Sequence, residues 1–173
     1  TKLIASQQIP SLIFWGPPGS GKTTLAHLLA KQLDANFIAQ SAVTTKLEDV
    51  RKVIEQARAD AGLYQKQTIL FIDEIHRFNK AQQDAFLPHV EAGTITLIGA
   101  TTENPSFEII SPLLSRSRVL VLNRLEDEHL KEIADRALKV LKKRLKVDAQ
   151  KFLIASANGD ARQLITTLEV AVS

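Results

Sequence analysis

The chain has 173 residues, 45% hydrophobic and 24% charged, so it can bury the core of one medium domain or of a domain with a small appendage. The formal net charge of +3 permits nucleic-acid binding without arguing for it, and the absence of cysteine excludes disulfides, thiolate metal sites and cysteine nucleophiles. No apolar run approaches the roughly 20 residues of a membrane span and no signal-peptide pattern opens the chain, and the lack of cysteine fits an intracellular protein.

Short apolar runs alternate with helical stretches in the first part of the chain, a pattern typical of a parallel sheet with helices on both faces. Leucines at positions 25, 28, 29 and 33 fall on one face of the first helix at helical spacing, and apolar residues at 50, 53, 54 and 57 are expected to form the inward face of the second. Pro88 should kink or end the third helix. The predicted strands are 12–15, 37–39, 68–72, 95–99 and 119–122, and the predicted helices are 23–33, 48–59 and 80–90.

After Asn123 no further strand is predicted, and the helical segments are 127–142, 149–157 and 161–172. Asp148 and Asp160 stand where N-cap residues belong, and Gly159 should end the middle helix. The sequence therefore predicts an α/β nucleotide-binding core over 1–123 and a small all-helical lid over 124–173.

A glycine-rich loop lies between the first predicted strand and the first predicted helix. Its eight residues fit the pattern G-x-x-x-x-G-K-[ST], in which small residues let backbone N–H groups surround phosphates at a helix N-terminus. Lys22 would reach the β and γ phosphates of ATP, and the Thr23 hydroxyl would ligate Mg²⁺. His27 should point away from this loop and lie at the surface. The residues predicted to bind the nucleotide here are Gly16, Pro17, Pro18, Gly19, Ser20, Gly21, Lys22, Thr23 and Thr24.

Two carboxylates follow the apolar strand that begins at Thr68. Ligands of open α/β folds bind at the carboxyl edge of the sheet, which is where this strand becomes polar. Asp73 is suited to hold Mg²⁺ mainly through water, and Glu74 to orient and deprotonate the attacking water. Because a glutamate stands beside the metal-binding aspartate, the pair predicts ATP hydrolysis.

These residues resemble the AAA+ ATPases, in the clamp-loader-like branch. Within that branch the chain is similar to the replication-associated recombination protein A family, whose eukaryotic members are the Werner helicase-interacting ATPases. The resemblance covers most of the chain and implies a P-loop AAA+ fold, with a five-stranded parallel sheet and a helical lid. The stretches that carry it are IPSLIFWGPPG from Ile9, FIDEIHRFNKAQQDAFLPHVE over 71–91, GTITLIGATTENPSF over 93–107, LLSRSRV from Leu113 and NGDAR from Asn158.

The resemblance also implies roles for three residues outside the two motifs. Thr102 matches the sensor 1 position, where a polar group helps to place the attacking water, and Asn104 is a weaker candidate. Arg116 resembles the clamp-loader arginine finger, which projects into the ATP site of a neighbouring subunit. Arg162 resembles sensor 2, which reaches from the lid to the phosphates of its own subunit. From the residues alone, a solvated surface residue is the favoured interpretation of each arginine, and the functional role comes from the resemblance.

A basic cluster follows Glu74, with His76 and Arg77 and then Asn79 and Lys80. It could contact DNA phosphates, relay partner binding to Glu74, or be an ordinary solvated loop.

The sequence departs from the family pattern in three places. Only a short segment, residues 1–8, precedes the first strand, where the family builds part of the adenine pocket. The C-terminal region used for oligomerisation is absent, and the connection over 140–148 is short for a link between lid helices. Together with the lack of methionine, these departures suggest a fragment.

The leading hypothesis is a DNA-dependent ATPase that acts in replication and recombination at stalled or damaged forks, with ATP hydrolysis gating DNA engagement within an oligomer. Its expected cofactors are ATP and Mg²⁺. Its expected partners are forked or single-strand-containing DNA, replication proteins and itself, as a homotetramer, with no membrane. It would be cytoplasmic and nucleoid-associated in a bacterium and nuclear in a eukaryote. The alternatives are a nucleotide-gated clamp-loader-type scaffold with little turnover and, from the phosphate loop alone, a nucleotide kinase.

Overall fold

A computed structural model describes residues 9–64 and 66–172. They form two compact units. The first contains the chain up to Trp15 and Lys22–Val121, and the second contains Gly16–Gly21 and the chain from Leu122 onward. The six residues between Trp15 and Lys22 therefore group with the C-terminal helices. The assignment of the two parts as nucleotide-binding core and lid stays a prediction.

The first unit is built on one parallel sheet with the strand order β2-β3-β4-β1-β5. The strands are β1 (Ser11–Trp15), β2 (Asn36–Ser41), β3 (Thr68–Asp73), β4 (Thr96–Thr101) and β5 (Ser117–Val121). The helices of this unit are α1 (Lys22–Gln32), α2 (Leu47–Tyr64), α3 (Lys80–Asp84), α4 (Leu87–Glu91), α5 (Pro105–Glu108) and α6 (Ser111–Ser115), with a 3₁₀ turn at Ile75–Arg77.

The three central strands are buried almost throughout, because helices cover both faces of a parallel sheet. The largest hydrophobic core packs residues of these strands against α2, the 3₁₀ turn and the segments that follow it. Its most deeply buried large side chains include Ile13, Leu70, Ile72, Ile75, Phe86, Leu97 and Leu113. The predicted α/β fold with five parallel strands is confirmed.

The buried face of α1 is formed by Ala26 and Ala30, with Leu25 and Leu29 half-buried beside them, whereas Leu28 is 59% exposed. Small side chains on the buried face allow the helix to approach the sheet closely, which the leucine spacing did not reveal. The face predicted for α2 was right, since Val50, Ile54 and Ala57 are buried and Val53 packs against the same core.

The helix predicted over 80–90 is two short helices, α3 and α4. Asn79 begins α3 with a capping box, in which its side chain accepts from the Gln82 N–H and the Gln82 side chain accepts from the Asn79 N–H. Pro88 lies in the first turn of α4, where the missing N–H needs no helical partner. The break at Pro88 is therefore confirmed, with the proline opening a helix instead of closing one.

The second unit contains α7 (Asp127–Leu141), α8 (Val147–Ala157) and α9 (Ala161–Val172) around a core of its own.

Asp160 is the expected N-cap of α9: its Oδ1 accepts from the N–H groups of Arg162 at 2.8 Å and Gln163 at 3.0 Å. Asp148 is not an N-cap, because α8 begins at Val147 and Lys146 occupies the cap position. Asp148 lies instead in the first turn, where a negative charge favours the helix dipole. The core residues are Leu130, Ala134, Leu138, Leu153, Ile154, Ala157, Leu164 and Leu168.

Candidate nucleotide site

The glycine-rich loop follows β1 and leads into α1. Within it, the Ser20 hydroxyl donates to the Pro17 carbonyl at 2.8 Å, which closes a tight turn. Gly19 and Gly21 have φ angles of +67° and +89°, which side chains other than glycine adopt at a cost. The loop thus has the compact, glycine-dependent backbone that successive phosphate-binding N–H groups require.

The start of α9 contacts this loop within the second unit. The Ala161 N–H donates to the Gly19 carbonyl at 3.3 Å. A Cβ atom on Gly19 would overlap the Asp160 carboxylate and lie 2.8 Å from the Asp160 Cα. Arg162 stands in the first turn of the same helix with its side chain exposed. Its predicted sensor 2 role stays a prediction, although its helix begins against the phosphate loop.

A cavity of about 200 Å³ lies beside Pro17 and Pro18 in the same unit. Arg124, Gln163 and the segment 157–160 complete its lining. The departure in residues 1–8, where the family builds part of its adenine pocket, lies outside the described residues.

Lys22 and Thr23 open α1 in the first unit. Lys22 is 8% exposed, Thr23 is half-buried and Thr24 is exposed. The helix that these residues begin packs against β2, β3 and β4. His27 is exposed, as expected, and its ring lies 3.9 Å from that of Phe37, measured between centroids.

Asp73 is the last residue of β3, and Glu74 follows it at the carboxyl edge of the sheet. Asp73 Oδ1 accepts from the Glu74 N–H at 3.1 Å, which leaves the other carboxylate oxygen available to a ligand. Glu74 has φ +54° and ψ +42°, a left-handed conformation that costs a non-glycine residue about 1–2 kcal/mol. Such strain is typical of functional positions, where the surrounding structure holds a side chain in one direction.

His76 lies next to Glu74 and is not part of an exposed basic cluster. Its Nε2 is 3.3 Å from Glu74 Oε2, and its side chain is only 8% exposed. Its Nδ1 is 3.0 Å from the Thr101 hydroxyl at the end of β4.

Of the predicted cluster, Arg77, Asn79 and Lys80 are exposed, and the Asn79 side chain is committed to capping α3. The sequence offered His76 only as a basic loop residue, because nothing in the pattern shows that a 3₁₀ turn brings it back to Glu74.

The two sensor 1 candidates follow β4. Thr102 is the first residue after the strand and is half-buried. The Asn104 side chain accepts from the Ser106 N–H at 3.0 Å and caps α5. The side-chain oxygen of Asn104 therefore has a structural partner, which favours Thr102 of the two.

Arg116 lies at the opposite edge of the sheet, immediately before β5. Its guanidinium donates to Glu91 Oε1 at 2.6 Å, to the Pro112 carbonyl at 2.9 Å and to Ser115 Oγ at 3.1 Å. It also lines a cavity of about 380 Å³ at the amino ends of β1, β3 and β4. A six-residue strand separates the two edges by about 16 Å at roughly 3.3 Å per residue. Arg116 and Glu74 thus face opposite ends of one sheet.

The oxygens of Thr23 and Asp73 fit the chemistry of Mg²⁺, a hard cation that takes oxygen ligands and keeps several waters. Within residues 9–64 and 66–172, no group of three or more His, Cys, Asp or Glu side chains is placed to hold a metal ion. A magnesium ion at Thr23 and Asp73 would therefore need phosphate and water oxygens to complete its shell.

The sheet order, the phosphate-binding loop after β1 and the acidic end of β3 define the class of P-loop ATPases. The family model of the ATPase family associated with various cellular activities (AAA) matches residues 12–127. The chain belongs to the AAA family, which confirms the resemblance. Among the described residues, none of the helices is long and apolar enough to cross a bilayer.

Curated relatives show which proteins within the family the chain is similar to. The chain is 48% identical to the replication-associated recombination protein A of Coxiella burnetii, over 98% of this chain and 39% of that protein. It is also 48% identical to the ATPase WRNIP1 of Dictyostelium discoideum, over 99% of this chain and 20% of that protein. The chain thus spans about two fifths or less of the length of these relatives.

A solved structure has the same fold. The Holliday junction branch migration motor RuvB of Thermotoga maritima superposes with a TM-score of 0.80 at 32% identity, over 96% of this chain and 57% of that one.

Proposed function

We propose that the protein is a DNA-dependent ATPase that acts in replication and recombination at stalled or damaged forks. The observation that carries the hydrolytic part is the end of β3, where Asp73 stands beside a Glu74 held in a left-handed backbone conformation. A scaffold that only binds nucleotide has no need of a strained, oriented carboxylate at this place. The DNA-related part rests on the names of the relatives, replication-associated recombination protein A and the branch migration motor.

In the proposed mechanism, different residues of the chain bind the phosphates, activate the attacking water and hold the metal ion. Lys22 and the loop N–H groups bind the phosphates, and Glu74 accepts a proton from the water that attacks the γ-phosphorus. Thr23 and Asp73 would hold Mg²⁺, which when bound neutralises phosphate charge. Thr102 would help to place the water.

Arg162 would reach the phosphates from its own subunit. This role is supported by the position of its helix, which begins against Gly19, and by the exposure of its side chain. Together with the loop, it would couple nucleotide binding to the arrangement of the helical unit.

Arg116 would act in a neighbouring subunit. It lies at the amino edge of the sheet, whereas Glu74 lies at the carboxyl edge, so a subunit cannot bring its own Arg116 to its own Glu74. This separation supports an oligomer in which each site borrows an arginine from the next subunit, and we propose the homotetramer expected from the family. ATP would close that interface, and hydrolysis would release it and change the grip on DNA.

Steady-state ATP hydrolysis of the full-length protein, with and without forked or single-strand-containing DNA, tests the proposal. We expect DNA to stimulate turnover and Glu74→Gln to abolish both basal and stimulated turnover while ATP still binds, because the amide cannot accept the proton. Glu55→Gln, which changes an exposed carboxylate on α2, is the matched control and should leave turnover unchanged. Negligible turnover in the wild type despite tight ATP binding would indicate the nucleotide-gated scaffold instead.

A further inference from the structure

The carboxylate of Glu74 has a neighbour that the nucleotide motifs do not include. His76 Nε2 lies 3.3 Å from Glu74 Oε2, and His76 Nδ1 lies 3.0 Å from Thr101 Oγ1. Both ring nitrogens therefore have a partner. The three side chains form a continuous chain of polar contacts from the end of β4 to the end of β3.

The environment of this chain limits how far its members can move. The His76 side chain is 8% exposed and Thr101 is fully buried, while the Glu74 side chain is 34% exposed. The network thus has a buried, fixed end at Thr101 and an open end at Glu74. A buried polar group with satisfied partners is held in one orientation, since leaving it unpaired is costly.

One arrangement of hydrogens serves the whole network. Thr101 Oγ1 accepts the Glu103 N–H at 3.0 Å, and its own hydrogen has two acceptors within reach, His76 Nδ1 at 3.0 Å and the Glu103 carbonyl at 3.3 Å. Because a carboxylate oxygen can only accept, the arrangement that satisfies Glu74 places the hydrogen of a neutral His76 on Nε2 and leaves Nδ1 to accept from Thr101. A neutral imidazole that accepts at Nδ1 carries its proton on Nε2. That N–H faces Glu74 Oε2, so His76 donates to the carboxylate.

We propose that His76, oriented by Thr101, is a positioning residue for Glu74. The inference rests on the proposed role of Glu74 as the base in ATP hydrolysis. By holding Oε2, His76 fixes the plane of the carboxylate and leaves Oε1 to accept the proton of the attacking water. Since Thr101 immediately precedes Thr102, the same contacts join the base to the end of β4, so a shift of that strand end on nucleotide binding reaches Glu74 directly.

The variant His76→Phe tests the proposal in the full-length protein, because phenylalanine keeps a ring in the buried space and removes both polar contacts. We expect kcat to fall about tenfold or more, as is typical when the partner that orients a reactive group is removed. KM and the affinity for a fluorescent ATP analogue should remain unchanged, since the proposed role of His76 concerns the carboxylate and not the phosphates. His27→Phe, on the exposed face of α1, is the matched control and should retain wild-type kcat.

A conservative variant separates positioning from packing. The glutamine of His76→Gln can place an amide donor near the position of Nε2, so it should recover part of the turnover that His76→Phe loses. Thr101→Val removes the hydroxyl at almost constant volume and should lower kcat in the same direction. Thr101→Val provides the test of the positioning role if His76→Phe does not fold.

The Glu74→Gln variant on its own distinguishes the two levels of the proposal, because it tests the base and not the residues that position it. A kcat for both His76→Phe and Thr101→Val equal to that of the His27→Phe control would overturn the positioning role. Wild-type turnover in Glu74→Gln alone would overturn the proposed function itself, whatever the His76 variants do.

Discussion

At the scale of single residues, each of the two nucleotide motifs contains a residue with an unusual backbone conformation. Glu74 and Gly19 both have positive φ, one at each of the two motifs. The conformation of Glu74 directs its side chain toward His76, and that of Gly19 brings the loop against the start of α9. The Glu74 contact is local, two residues along the chain, whereas the Gly19 contact joins groups about 140 residues apart in the sequence.

The contact at Gly19 yields a direct test. Gly19→Ala should lower both the free energy of unfolding and the affinity for ATP, because the new Cβ would meet the Asp160 carboxylate and force the loop or α9 to move. Gly93→Ala is the control: Gly93 has φ +68°, a Cβ added there would meet nothing within 4 Å, and the residue is remote from both motifs in the sequence. It should cost only the left-handed conformation, about 1–2 kcal/mol. Urea unfolding and nucleotide titration measure the two effects, and equal losses in both variants would contradict the expectation.

At the scale of elements, the short helices α4 and α6 hold Arg116 in place. Glu91 ends α4, and Pro112 and Ser115 belong to α6, and each of the three accepts from the Arg116 guanidinium. An arginine that acts in a neighbouring subunit must exchange these partners for phosphate oxygens. The pair with Glu91 is partly exposed, and such pairs contribute about 0–1 kcal/mol.

The exchange predicts opposite effects for the two members of this ion pair. Arg116→Ala should abolish turnover of the assembled protein and leave ATP affinity intact, because an arginine of this kind contributes about 10³ to 10⁵ in rate. Glu91→Gln should raise turnover, by no more than about fivefold given the modest energy of an exposed pair. The control is Glu132→Gln, which breaks the exposed Glu132–Arg136 pair on α7. Steady-state ATPase rates of the three variants and the wild type measure these effects. Unchanged turnover in Arg116→Ala would rule out the proposed exchange.

How far the sequence predicted these elements depended on the signal each one carries. All five strands were anticipated: the three central ones are buried on both faces and read as apolar runs, whereas the edge strands β2 and β5 are short and less buried, with only a few apolar residues to mark them. The buried face of α1 was not, because Ala26 and Ala30 carry too little hydrophobicity to stand out beside the leucines. The Glu74–His76–Thr101 contacts were missed for another reason. They join the ends of two strands and a 3₁₀ turn, and no local sequence pattern indicates that these three side chains lie close together.

At the scale of the whole molecule, each of the two compact units has buried hydrophobic residues packed together within it. The segment Gly16–Gly21 groups with the helical unit, and the Ala161 N–H at the start of α9 donates to the Gly19 carbonyl. Because the loop is tied to the start of α9 through Gly19, the stability of the helical core should influence how well the loop binds phosphate.

A core substitution in α9 tests this coupling. Leu164 is 1% exposed in the helical core, so Leu164→Ala should cost about 2–5 kcal/mol through the lost contacts and the cavity left behind. Ile165 is 37% exposed on the same helix, and Ile165→Ala should stay within about 1 kcal/mol.

Far-UV circular dichroism reports the helices during urea unfolding, while the fluorescence of Trp15, the one tryptophan of the chain, reports the sheet. We expect Leu164→Ala to shift the dichroism transition more than the fluorescence transition and to weaken ATP binding, because the helix that holds Gly19 is loosened. An ATP affinity equal to that of Ile165→Ala, despite the loss of stability, would show that the phosphate loop keeps its shape without support from the helical core.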